Sequence, residues 1–200
     1  MKSRLSLRPS ARERLLQAAA KVFARDGLTG ATTRAISREA GVNEVTLFRL
    51  FETKEGLIDA VVRQNFGPEL WRAAREGVAP SGDLRADLVT HAGLYERVLQ
   101  ENLPLIRAMI GEIHHHGENE RQVFQGIFRP LRAALEERLR LAQEAGELRR
   151  DVSAMILADL FAGMIFTGVL RRASKHSRRE YPNSDYLDAA VDLLLRGAGQ

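Results

Sequence analysis

From Ser10 onward the apolar residues return every three or four positions, and most runs are bounded by a capping side chain, a glycine or a proline. That period decides the fold class. A half-buried sheet would need sustained alternation, and neither alternation nor an Asn-Gly or Asp-Gly hairpin signal between β-branched runs is found. Ser10 with Glu13 forms a capping box, behind which Leu15, Ala19, Val22 and Phe23 share one face until Gly27 ends the helix. Thr32 or Thr33 caps a short second helix carrying Ala35, Ile36 and Ala40. Gly41 then supplies a turn, and Asn43 caps a third short helix with Leu47 and Phe51 inward. Thr53 caps a fourth, in which Leu57, Ile58, Val61 and Val62 repeat at helical spacing.

The pattern continues to the end of the chain. Pro68 is expected to kink or end the fourth helix, and Pro80-Ser81-Gly82-Asp83 forms a loop that caps a fifth bearing Leu84, Leu88, Tyr95 and Val98. Asn102 and Pro104 mark the start of a sixth, with Ile106, Met109, Ile110 and Ile113, stopping near Gly117. A seventh spans 119–145 with Pro130 inside it. Asp151 caps an eighth running to about Lys175, and Asn183 or Ser184 caps a ninth that ends at Gly197. The expected architecture is all-α, about nine helices: a small N-terminal three-helix head, residues 1–62, on a larger helical body, residues 63–200.

Composition narrows the function. With 200 residues the chain is long enough for a sizeable core without staples, and the absence of cysteine excludes a disulfide framework, a thiol nucleophile and a cysteine-based metal site. The apolar stretches read as too brief for a membrane span, no secretory pattern opens the chain, and a cytoplasmic protein is expected. Charge is uneven. Residues 1–54 hold 11 Lys/Arg and 5 Asp/Glu, a local +6, leaving 19 basic and 21 acidic residues in the remainder. A basic end on a near-neutral body suits a phosphate-binding head, and equally a solvated charged surface.

Residues 33–51 form a short helix, a Gly41-Val42 turn and a second short helix. Two helices crossing closely need a small turn residue and a compact apolar set, here Ile36, Ala40, Val42, Leu47 and Phe51. The outward face of the second helix then presents Asn43, Glu44, Val45, Thr46, Phe48 and Arg49, a surface able to enter a major groove. The bare pattern also fits an ordinary helical hairpin in a bundle.

The wording of the segment goes further. Ala18 through Phe23, Gly27, Thr32-Thr33, Ile36, Ala40-Gly41-Val42, Thr46-Leu47-Phe48, Phe51 and Thr53-Lys54-Glu55-Gly56-Leu57 resemble the N-terminal domain of the tetracycline-repressor (TetR) family of bacterial transcriptional regulators. That resemblance covers roughly residues 11–60. It implies a helix–turn–helix head and a body for effector binding and dimerisation, acting on a double-stranded DNA operator. It also implies roles position by position: Thr33 as a phosphate-contacting cap, Arg34 reaching backbone or bases, and Glu44, Val45 and Thr46 facing the groove. Arg49 follows where DNA contacts are frequent, and Lys54 looks like a phosphate clamp. Two departures stand out. Phe48 lacks the hydroxyl of the tyrosine common there, so that phosphate contact is lost or reduced to apolar packing on sugar or a thymine methyl, and Leu50 stands where a polar or aromatic residue is frequent. Glu44 can accept from a cytosine amino group, would be repelled near a phosphate, or is simply solvated.

In the body, residues 155–170 and 186–195 are apolar on more than one face and need cover on both sides. A second subunit provides it in one reading, through Met155, Asp159, Gly163, Phe166, Leu170, Leu187, Val191 and Leu194; a fully buried core helix is the other. Phe66, Trp71, Met109, Ile110, Ile113, Phe124, Ile127, Phe128 and Phe161 are candidates to line a cavity for a small, mostly apolar effector, with His91, Tyr95 and Thr167 as its polar groups. The alternative is that they pack as plain core. His114-His115-His116 point about 100° apart on a helix and cannot converge on one ion unaided. Glu112 lies four before His116, but a solvated helix end is simpler, and no metal or cofactor is expected. No catalytic motif appears, so a helical metal-dependent enzyme built on those histidines, or an architectural DNA binder without a ligand, are the competing classes.

Overall fold

The computed structural model describes residues 9–76, 81–111, 132–173 and 181–199, with the side chains of 67–76 and 111 outside that description. Its helices are α1 (Ala11–Gly30), α2 (Thr33–Ala40), α3 (Glu44–Phe51), α4 (Lys54–Glu76), α5 (Leu84–Glu101), α6 (Leu103–Gly111), α7 (132–144), α8 (Ala154–Arg172) and α9 (Asn183–Ala198). Among the described residues the only β pairing is a single bridge between Leu148 and Gly199. The chain divides into two compact units, Met1–Asn65 with Pro104–Val123, and Phe66–Leu103 with Phe124–Gln200.

The first unit is built from local signals. Ser10 closes its capping box with Glu13: the Ser10 N–H donates to Oε2 at 2.7 Å and the Glu13 N–H to Oγ at 3.2 Å. One stripe of α1 is buried, with Leu15, Ala19, Val22 and Phe23 fully so, and it packs on α2 and α3. Gly27 takes φ 76°, so the regular helix breaks there although a further turn follows to Gly30. Gly41 ends α2 in the left-handed region, where Val42 N–H reaches back to the Ser37 carbonyl at 3.0 Å. Thr53 caps α4, accepting from Gly56 N–H at 3.0 Å.

Between α3 and α4 the corner is tight. Glu52 sits at φ 63°, ψ −50°, and the Thr53 N–H donates to the Phe51 carbonyl at 2.7 Å, a γ-turn. A Cβ on Gly56 would stand 2.3 Å from that same carbonyl oxygen, so only glycine fits.

In the second unit α5, α8 and α9 pack on one another around Leu88, Leu99, Ala158, Phe161, Ile165 and Val191. Several expectations are corrected here. Of the two outcomes expected at Pro68, a kink or an end, the end does not occur, since α4 runs on to Glu76. Asn102 closes α5 rather than opening α6, donating its side-chain amide to the Val98 carbonyl at 2.9 Å. Ser153, not Asp151, caps α8, because the Asp151 carboxylate is held by the Arg149 guanidinium. Pro182 occupies the N-cap of α9 with no side-chain bond, while the Ser184 hydroxyl donates to Asp185 instead. Finally, α8 is long and apolar enough by length and composition to cross a membrane, against the expectation that every stretch is too brief; here it packs on α5 and α9.

Candidate nucleic-acid interface

Two helix N-termini frame the site. Thr32 rather than Thr33 caps α2, accepting from the Ala35 N–H at 3.1 Å. Thr33, expected as the cap, stands one position inside, and its hydroxyl donates to Glu44 Oε1 at 2.5 Å. Asn43 caps α3, with Oδ1 accepting from Val45 N–H at 2.9 Å, so its carbonyl oxygen is committed and its NH2 is the half that points elsewhere.

Outward from this frame, α3 exposes Val45 at 73%, Phe48 at 45% and Leu50 at 37%, with Arg49 exposed and Thr46 half-buried. Leu47 and Phe51 face inward, as the spacing predicts. Arg34 is exposed on α2, and the Lys54 ammonium donates to the Thr29 carbonyl at 3.3 Å. Sequence reasoning missed Arg14. From α1 its guanidinium donates to the carbonyls of Ala40 and Gly41, both at 3.4 Å, and pins the turn that sets the angle of α3. Nothing in a one-dimensional pattern marks a contact 26 residues away. Arg12 stacks over the Phe51 ring at 5.5 Å, beside a groove of about 680 Å³ that also touches Leu16, Gly56, Asp59 and Arg63.

The body places its expected residues less uniformly. Phe66, His91 and Phe161 are buried and Tyr95 is half-buried, all in the second unit; Met109 is buried and Ile110 half-buried in the first. Burial pushes the His91 imidazole below its ordinary pKa, opposed by the Asp87 charge and assisted by Arg138, and its Nε2 is buried without a partner. Burial and the Asp159 charge raise the Tyr95 phenol. Beside them Asp87 and Arg138 form a buried ion pair at 2.6 Å. Burial alone would raise the Asp87 carboxyl, yet bonds from Ser81 and Arg138 hold it below the usual carboxylate range. Thr167 is corrected: its side chain lies on the exposed face of α8, not in the interior. The side chain of Trp71, and Glu112, Ile113, His114, His115, His116, Phe124, Ile127 and Phe128, lie outside the described residues.

For the expected seam, α8 exposes Met155, Ile156 and Leu160 at 46%, 48% and 59%, with Gly163 open to solvent, and α9 exposes Leu193 at 66%. Asp159 is exposed and pairs with Arg132 at 3.1 Å, while Phe166, Leu170 and Leu187 are half-buried. Val191 and Leu194 are corrected, since both are buried in the chain's own core and offer no surface to a partner. Ile156, Leu160 and Leu193 are the outward residues that the periodicity did not single out. Gly168 serves inside the fold, where an added Cβ would meet the Tyr186 ring at 2.5 Å.

A basic, capped helix–turn–helix with an exposed second helix, on a chain that is mainly helical among the described residues, has the form of a DNA-binding regulator. Residues 15–61 match the family model for bacterial regulatory proteins, tetR family, and residues 78–194 match the tetracyclin repressor-like C-terminal domain. The uncharacterized HTH-type transcriptional regulator YvkB of Bacillus subtilis (strain 168) is 26% identical over 201 residues, covering 96% of this chain and 98% of its own. The HTH-type transcriptional repressor KstR2 of Rhodococcus jostii (strain RHA1) is 32% identical over 110 residues, 55% of this chain and 53% of its own. In fold, the chain resembles the transcriptional regulator FadR from Bacillus subtilis, solved in complex with stearoyl-CoA, with a TM-score of 0.77 at 17% identity over 92% of this chain and 97% of that one. The chain belongs to the TetR family of bacterial transcriptional regulators.

Proposed function

We propose that this chain is a repressor that binds a partly palindromic duplex operator as a homodimer and leaves it when a small, mostly apolar effector enters the body. The observation that carries the reading is the exposed face of α3, where Val45 and Phe48 stand in solvent beside Arg49. Exposed apolar side chains flanked by guanidinium groups suit thymine methyls and sugars beside phosphates. One eight-residue helix reads few base pairs, so two heads are needed, with half-sites about 34–36 Å apart or a multiple of that spacing. The exposed apolar stripe of α8 with Leu193 of α9 supports pairing of two copies. Buried Phe66 and Phe161 with the polar His91 and Tyr95 support an effector with a large apolar part, and the Bacillus subtilis FadR, similar in fold, was solved in complex with a ligand that carries one, stearoyl-CoA.

Selection from a random duplex pool, followed by footprinting, tests the DNA half. Enrichment of a symmetric motif is expected, and recovery of none would overturn the reading; the footprint position relative to a promoter separates repression from activation. For the effector half, the chain is titrated with acyl thioesters and other apolar metabolites while melting temperature and operator occupancy are both followed. A compound that raises the melting temperature yet leaves operator affinity unchanged binds both states equally and would remove the switch.

A further inference from the structure

Thr33 and Glu44 are both placed at the interface, yet the structure joins them to each other. Thr32 takes the cap of α2 and Asn43 that of α3, which leaves the next residue of each helix with no capping duty. The Gly41 turn brings those two positions together, and the 2.5 Å bond from the Thr33 hydroxyl to Glu44 Oε1 has the length of a charge-assisted O–H···O⁻ contact. A threonine hydroxyl owns one proton. While it is given to Glu44 it is not available to a phosphate, so this bond excludes a phosphate contact by the Thr33 hydroxyl.

We infer that Glu44 is a base-reading residue selecting cytosine, and that Thr33 is the residue that positions it; this rests on the DNA-binding reading above. A carboxylate only accepts hydrogen bonds, so it complements an amino group in the major groove and is repelled by the acceptors of guanine and by thymine O4. Adenine also offers an amino group, but its N7 acceptor lies beside it and opposes a carboxylate. Cytosine N4 has no acceptor beside it on its major-groove edge. Holding Oε1 leaves Oε2 to face the base, and fixes a side chain that would otherwise sample several rotamers. The negative charge near phosphates weakens binding to every other sequence, which sharpens discrimination by repulsion.

The test repeats the random-duplex selection with the full-length wild type, Glu44→Gln, Thr33→Val and Thr33→Ser. Wild type is expected to fix cytosine at one position of each half-site. Glu44→Gln is expected to move that position toward adenine by about tenfold, because an amide accepts from N6 and donates to N7. Thr33→Val should lower the cytosine preference several-fold without changing the salt dependence of binding, and Thr33→Ser should restore it. An unchanged preference in Glu44→Gln, with the wild-type motif intact, overturns the inference and leaves the regulator standing. Thr33→Val that binds every duplex more weakly to the same degree, with the cytosine preference unchanged, makes Thr33 a phosphate donor and also overturns it. No enriched motif for the wild type defeats the inference together with the reading beneath it.

Discussion

In the head, Ser10, Thr32, Asn43 and Thr53 each accept from a backbone N–H two or three residues ahead; in the body, Asp87 reaches Arg138 across 51 residues and Glu96 reaches Arg172 across 76. The head's polar groups lie at helix ends near solvent. These two pairs of the body are removed from water, with the Asp87 and Arg138 side chains only 1% and 7% exposed. A capping bond can be lost with little more than local fraying, whereas a buried charge stripped of its partner keeps its full desolvation penalty. The head therefore tolerates loss of a capping bond better than the body tolerates loss of either partner in these buried pairs.

The sharpest way to break that comparison is Asp87→Ala. Leaving the Arg138 guanidinium buried and unpaired should cost about 3–5 kcal/mol in urea unfolding. Ser10→Ala in the head should cost only about 1 kcal/mol. Similar values for the two would erase the distinction. Next in size is assembly: Leu160→Glu, on the open face of α8, should turn a dimer into a folded monomer in sedimentation while helicity is retained. Leu194→Glu, by contrast, should unfold the chain, because Leu194 is core. Gly56→Ala forces a Cβ against the Phe51 carbonyl and should destabilise the α3–α4 corner by about 1–3 kcal/mol, read from the melting temperature.

A smaller effect belongs to pH. His91 has a folded pKa below its unfolded value of about 6.5, so the unfolded chain holds the proton first and stability rises with pH through that window. Its contribution is present above the unfolded value and lost as pH falls through the folded one; His91→Gln should flatten the stability profile below about pH 6.5. Smallest is Lys54→Ala, expected to weaken binding to all duplexes alike and to reduce the log–log salt slope by about one. An altered base preference with an intact slope would displace α4 from the phosphate side.

What could be read without coordinates follows the same division. Ser10, Asn43, Thr53 and Asp83 announce their helices because a cap is a contact between near neighbours, and Gly41 because a turn needs a left-handed residue. The inward Leu47 and Phe51 follow from period alone. Asp151, the cap expected for α8, is held by Arg149, a commitment that local spacing does not mark, and Ser153 takes the role. Thr33 was legible as an interface residue but not as the partner of Glu44, since that bond depends on how the Gly41 turn aims two helices. No local pattern marks the pairs Asp87–Arg138 and Glu96–Arg172, whose partners stand 51 and 76 residues apart. Apolarity on α8 was plain, but which of its apolar residues face outward depends on the neighbours it packs against. Hence Ile156, Leu160 and Leu193 were missed, and the buried Val191 and Leu194 were placed at the seam.

The most direct test of the central claim, that the exposed face of α3 reads duplex sequence, compares one enriched duplex with a shuffled duplex of equal composition across a salt series. The full-length chain should bind the enriched duplex at least about 10³-fold more tightly. Val45→Ala or Thr46→Ala should shrink that ratio while leaving binding to the shuffled duplex unchanged. Equal affinity for the two duplexes at every salt concentration would contradict the account.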